Sequence, residues 1–170
     1  MDTRKLGKPT DQRLAMVANQ ATDLLWYGHI ETTLDRAKAA ARYAEKVITL
    51  AVNTYEDVVT TEKVTLDNNG KEKKVTVSKD GVKKLAARRK IIALVQNRQE
   101  KRKKGEKIAD FEARTQGIEM PLIEKIFDDI APKYAARAKE VGQKGGYTRV
   151  VKTTVRRGDN AQMAIAELLK

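Results

Sequence analysis

The side chains best able to act on another molecule are cations; they are densest at 98–107, but the set most clearly carried on a strand lies in GGYTRVVKTTVRRGDN at 145–160. Arg149, Lys152, Arg156 and Arg157 follow one another there with no carboxylate among them. A guanidinium presents a planar fork that grips phosphate bidentately, and an ammonium supplies a point charge for the same group. Gly145 and Gly146 let the main chain turn through positive φ and come close to a ligand. Tyr147, Thr148, Val150, Val151, Thr153, Thr154 and Val155 have the β-branched and aromatic character of a strand. Gly158-Asp159-Asn160 reads as a turn. Lys144 adds a charge just before the glycines. The stretch is a basic strand between flexible ends, suited to a folded polyphosphate; as a solvated surface hairpin it would do nothing.

Other chemistries have little material. The 170 residues hold one histidine (His29), one serine (Ser78) and no cysteine. That excludes disulfides and thiolate metal sites, and leaves a serine or cysteine triad without parts. A transition-metal site would have to combine one imidazole with carboxylates, and no metal is expected. No P-loop or dinucleotide fingerprint occurs. Asp67-Asn68-Asn69-Gly70 lacks the distal ligands of a calcium loop and reads as a turn. Asp128-Asp129 falls opposite an apolar helix face, as solubilising charge. No catalytic residue, cofactor or small-molecule ligand is expected. With 35 Lys and Arg against 23 Asp and Glu, the formal charge is +12. Such a surplus calls for a polyanion, with an anionic membrane surface as the rival explanation. The polar N-terminus lacks the apolar core of a signal peptide, and no apolar run approaches the roughly 20 residues that span a bilayer. A soluble cytoplasmic protein is expected.

The elements that must position these cations read in order. A basic arm at 1–9, containing Arg4, Lys5 and Lys8 and broken by Gly7 and Pro9, is too short and polar to bury itself. Thr10 is a candidate cap for a helix to about Tyr27, with Arg13 in its first turns, Leu14, Val17, Ala21, Leu24 and Leu25 on one face, and Gly28 ending it. His29 to Thr32 suits a short strand. A second helix, capped by Thr32 or Thr33, carries the stripe Ala37, Ala40, Ala41, Ala44, Val47, Ile48 and Ala51; its neighbour must approach closely. Arg42 and Lys46 read as its solvated face. Between 53 and 82, two strands flank an Asn-Gly turn, with Val64 and Leu66 on one side of it and Val75 and Val77 on the other. Ser78 or Asp80 would cap a third helix whose apolar positions include Val82, Leu85, Ala86, Ile92 and Val95, and which carries Arg88 and Arg89. The lysine-rich 98–119 follows. Pro121 opens a fourth helix with Leu122, Ile123, Ile126, Phe127 and Ile130, stopping near Pro132, with an irregular extension through Tyr134 and the alanines after it left open. Residues 163–169 are ambiguous: alanine and leucine argue helix, but a strand gives the basic strand its partner, and strand is the choice made.

The fold expected is α+β, about four helices on a small mixed or antiparallel sheet with a protruding hairpin, in one domain over 1–170. Few aromatic residues argue against a single-strand stacking platform, and no helix-turn-helix signature stands out. Phosphate contact and shape readout of structured RNA fit best. A nucleoid-type DNA protein is the competing binding module; an RNA-processing enzyme has few acid–base candidates.

Several blocks also resemble a known family. RKLGKPTDQRLAM at 4–16, IETTLDRAKAAARYAEKVITLA at 30–51, ARRK at 87–90 and the long run from Pro121 through GGYTR and RRGDNA to Leu169 are similar, in the same order, to bacterial large-subunit ribosomal proteins of the L-seventeen family. The resemblance implies a non-catalytic protein without cofactor in the cytoplasmic ribosome. Its implied partners are large-subunit ribosomal RNA near the exit of the peptide tunnel and neighbouring large-subunit proteins, with no membrane. It carries RNA contact onto Arg4, Lys5, Lys8 and Arg13 of the arm, onto Arg88 and Arg89, and onto Gly145, Gly146, Arg149, Arg156 and Arg157. Residues 53–82 and 98–119 exceed the family's usual length and fall outside it. The hairpin is expected to touch a neighbouring protein or RNA helix.

Overall fold

The computed structural model describes residues 4–66 and 72–169, and residues 63–66, 72–75 and 77 by backbone alone. Helix α1 (Thr10–Tyr27) leads through strand β1 (His29–Thr33) into α2 (Leu34–Val52), and strands β2 (Val58–Leu66) and β3 (Glu72–Asp80) follow. Next come α3 (Val82–Leu94), α4 (Ile108–Thr115) and α5 (Pro121–Lys125). The chain then makes a π-helical turn (Ile126–Ile130) and continues through α6 (Ala131–Val141), β4 (Thr148–Val155) and β5 (Gln162–Leu168). The α+β class is as expected, and both sheets are antiparallel.

The alanine stripe of α2 explains the arrangement. Ala37, Ala40, Ala44, Val47, Ile48 and Ala51 have no exposed surface. Without bulky side chains between them, backbones approach closely, and α2 touches α1, α3, α6 and all of β1, β4 and β5. The facing strand matches in size: Ala164 and Ala166 of β5 are fully buried. The closing segment is a strand and lies at the centre of its sheet, in the order β1-β5-β4. Ala166 pairs with Ile30 on one side and Val150 on the other.

Leu122, Ile123, Ile126, Phe127 and Ile130 form the expected buried face. Truncating such a residue to alanine costs ~2–5 kcal/mol. The chain continues past Pro132 as the irregular extension through Tyr134. The chain widens into the π turn, where the Ala131 N–H reaches back to Ile126 O, and Pro132 sits in the first turn of α6. The wider turn accommodates a residue that has no N–H and crowds the preceding carbonyls. Tyr134 therefore lies on the same continuous face, 2 % exposed. Its hydroxyl stands 2.8 Å from Leu169 O and 3.1 Å from Tyr147 O, so one proton serves the ends of both β4 and β5. Burial pushes this phenol up to about 12.

Other expectations are corrected. Thr10 is helical, and Pro9 stands at the N-cap without a side-chain bond. Neither Ser78 nor Asp80 caps α3, because β3 runs through both. Gly81 holds the N-cap, and the carboxylate comes from Asp57: Oδ2 accepts from Lys83 N at 2.8 Å and Lys84 N at 3.3 Å. A Cβ on Gly81 would meet that carboxylate at 2.3 Å, which is why glycine stands there. The apolar positions expected inside α3 are largely outside, Val82 being 86 % exposed. Val95 is buried as expected, and Lys84, Ala87 and Ile91 face the core with it at helical spacing. Helix α4 was not foreseen.

The hairpin pairs Val58 with Asp80 through to Leu66 with Glu72. Val64 lies across from Lys74 and Val75 from Lys63, so the valines of the two strands are not partners. The expected turn at Asp67 to Gly70 lies outside the described residues, as do the side chains of Val64, Leu66, Val75 and Val77.

Candidate nucleic-acid interface

The basic strand β4 is an edge strand. One side pairs with β5 and the other leaves its main-chain groups open, as edge strands do. Tyr147 is buried against Tyr134, ring centroids 4.9 Å apart, and anchors the strand's start. Gly145 (φ 96°) and Gly146 (φ 59°) are both left-handed, with nothing near a Cβ position. Conformation rather than space requires glycine at both. Arg137 Nη1 donates to Gly146 O at 3.0 Å and holds the loop to α6. Lys144, Lys152 and Arg157 are exposed.

Two of the expected phosphate grips carry partners from the molecule itself. Arg149 Nε lies 2.7 Å from Glu167 Oε1, on the cross-strand position. Arg156 Nε lies 2.9 Å from Asp159 Oδ1 within the turn. The Arg156 hydrogen bond, then the Ala161 N–H, holds the Asp159 carboxyl down at about 2. Both pairs are solvated, with arginine side chains 63 % and 55 % exposed. An exposed ion pair is screened by solvent and adds little stability, so a phosphate exchanges for it at little cost.

The central pair splits. Arg89 is exposed on the outer face of α3, between Leu85 and Ile92. Arg88 points inward, with 20 % of its side chain exposed. Its Nε bonds Asp80 Oδ2 at 2.6 Å, its Nη atoms reach Glu124 at 2.6 and 3.3 Å, and its guanidinium lies 5.2 Å from the centre of the Phe127 ring. Lys84 adds a second bond to Asp80 at 3.2 Å. Burial alone would raise Asp80, but the bonds from Arg88 and Lys84 outweigh it and hold that carboxyl below its ordinary value. Arg88 thus ties β3, α3 and α5 together.

The arm is not loose. Leu6 (φ 52°) and Gly7 (φ 67°) are consecutive left-handed residues that bend it back on the body. Arg4 pairs with Asp35 at the start of α2. Lys5 is exposed and Lys8 half-buried. The fold-back makes a cleft of about 260 Å³ between arm, α1, α2 and the end of α3. Arg13 and Leu14 of α1 line it, with Arg42, Tyr43 and Lys46 of α2. Sequence reasoning assigned Arg42 and Lys46 to a solvated face and missed this cleft. The spacing Ala39, Arg42, Tyr43, Lys46 on one stripe was the available signal.

In the lysine-rich segment, Arg114 of α4 is clasped by Glu106, at 3.1 Å, and by Glu100, and Arg98 bonds Asp23 at 2.6 Å. The loop so closed exposes Lys101, Arg102, Lys103 and Lys104. No group of acidic, histidine or cysteine side chains among the described residues could hold a metal ion. No helix among them is long and apolar enough to cross a membrane.

Fold and surface together define a basic α+β protein whose features are presented charge and bound structure. Residues 16–169 match the family described as Ribosomal protein L17. The chain is 37 % identical over 170 residues to the large ribosomal subunit protein bL17 of Clostridium tetani, covering 98 % of this chain and 96 % of that protein. It is likewise 37 % identical over 191 residues to bL17 of Lachnospira eligens, covering 98 % of each. The chain belongs to the ribosomal protein L17 family, whose members are structural proteins and not enzymes.

Proposed function

We propose that this protein is a structural constituent of the large subunit of the bacterial cytoplasmic ribosome. It binds and stabilises large-subunit ribosomal RNA near the exit of the peptide tunnel. The relatives' names support the large subunit. The observation that carries RNA binding is the exposed basic edge strand β4 with its continuation into Arg156 and Arg157. Cations on a rigid strand meet phosphates at fixed spacing, and shape, not base identity, sets the preference.

The contacts are Arg4, Lys5, Lys8 and Arg13 on the arm, Arg89 on α3, and Lys144, Arg149, Lys152, Arg156 and Arg157 beside Gly145 and Gly146. Arg88 acts through position, fixing α3 so that Arg89 faces outward. The hairpin meets a neighbouring ribosomal protein or RNA helix. The test is filter binding to transcribed large-subunit RNA and to duplex DNA at matched ionic strength. Tighter binding to the RNA is expected; equal affinity for both would reduce the protein to a diffuse polycation.

A further inference from the structure

The cleft beneath the arm differs from the other basic surfaces because its floor is apolar. Leu14, Val17, Tyr43 and Leu94 form walls, and Ala39 leaves room between them. The Tyr43 ring is fixed, its hydroxyl donating to Leu94 O at 2.8 Å. Leu14 keeps 38 % of its surface exposed although it stands beside the core residue Val17. Around the mouth are Arg4, Arg13, Arg42 and Lys46, and no carboxylate among the described residues lines the space. Asp35 stands outside it, paired to Arg4.

The backbone supplies an independent sign. Leu6 contributes to the lining from a left-handed conformation, which a branched apolar residue adopts at a cost of ~1–3 kcal/mol. A solvated arm would relax; this one spends strain to wall the cleft.

We propose that the cleft receives one unstacked base of the RNA, with its flanking phosphates on Arg13 and Lys46. The proposal rests on the reading of the protein as an RNA binder and names one subsite within it. An apolar hollow with a cationic mouth matches a base joined to phosphates: the ring gives up water to Leu14, Leu94 and Tyr43, and the charge stays at the rim. At about 260 Å³ the hollow falls just below the roughly 300–1,000 Å³ of drug-sized sites, which suits a single ring system. Single-stranded bases at loops and bulges are the parts of folded RNA that can be splayed into such a hollow.

The test uses the full chain with transcribed large-subunit RNA. Leu14→Trp fills the hollow without changing charge; it is expected to lower affinity by about tenfold and leave the salt dependence unaltered. Arg13→Gln is expected to lower both affinity and salt slope. Circular dichroism checks that each variant folds. Ultraviolet crosslinking of the unaltered protein, read by mass spectrometry, is expected to place a nucleotide on the peptide containing Tyr43. If the unaltered protein binds no RNA, the functional reading itself fails. If it binds and Leu14→Trp binds equally well, or the crosslinks fall only on other peptides, the subsite is overturned while RNA binding stands. A crosslink in assembled ribosomes from the cleft to another protein would overturn it too.

Discussion

Arg156 and Asp159 hold each other across the turn joining β4 to β5, with Nε 2.9 Å from Oδ1. The backbone closes the same turn, Arg156 N to Ala161 O and Asn160 N to Arg156 O, both at 2.9 Å. The carboxylate therefore does two things. It holds the guanidinium in one place before any ligand arrives, and it offers a partner weak enough to surrender. Asp159 lies well below the ordinary carboxylate value of 3.8, at about 2, so the pair is intact at neutral pH. A depressed carboxyl contributes stability above its unfolded value and loses it as pH falls through the folded value, here between about 4 and 2. Exposure keeps the effect on folding small. In a carbon-13 NMR titration, Arg156→Gln is expected to return Asp159 toward its ordinary value; an unmoved Asp159 would mean that the pair does not form in solution.

Arg88 and Arg89 are adjacent in sequence and opposite in role. Arg88→Ala takes the guanidinium from Glu124 and leaves Asp80 with Lys84 alone, and is expected to cost ~1–3 kcal/mol in denaturant unfolding. Arg89→Gln is expected to leave stability unchanged and to weaken RNA binding. Stability measurements and filter binding on the two variants check the division. A reversed pattern would make Arg88 the contact.

Asp57 and Gly81 form one device 24 residues apart in the chain. Gly81→Ala displaces the carboxylate, and Asp57→Ala removes it; each is expected to cost ~1 kcal/mol, the usual value of a lost helix cap. Because both act on one interaction, the double variant is expected to cost clearly less than the sum of the two. Additive costs, measured by thermal denaturation, would separate the two residues.

Changing Arg156 and Arg157 together to glutamine is expected to impair incorporation into the large subunit more than changing Lys103 and Lys104. The arginines continue the basic edge strand β4, whereas Lys103 and Lys104 are exposed on the loop closed by Arg114. The arginine variant is also expected to shallow the salt dependence of RNA binding by roughly one to two units of slope. Equal effects of the two pairs in reconstituted particles would favour diffuse charge over shaped contact.

Local signals in the sequence carried far. The alanine stripe of α2 told of close packing, Gly28 of a helix end (φ 82°), and the need of β4 for a partner placed 163–169 in a strand. What stayed hidden depends on residues distant in the chain. Asp57 caps a helix beyond a whole hairpin, and nothing near Ser78 or Asp80 announces it. Pro132 signals a helix end, yet the π turn before it keeps the chain helical. Arg88 and Arg89 look alike as letters; only the carboxylates of Asp80 and Glu124 decide which turns inward. The arm is too short and polar to bury itself, and Arg4, Lys5, Gly7 and Pro9 are exposed, but its bend back onto the body rests on left-handed Leu6 and Gly7, which composition does not reveal.

The account turns on whether these cations are placed for a rigid folded RNA. Sedimentation of ribosomes after a high-salt wash, with the protein detected in each fraction, addresses that most directly. The account predicts that the protein stays with the large subunit after loosely held basic proteins are stripped. Its recovery in the free fraction, or spread evenly over both subunits, would contradict it.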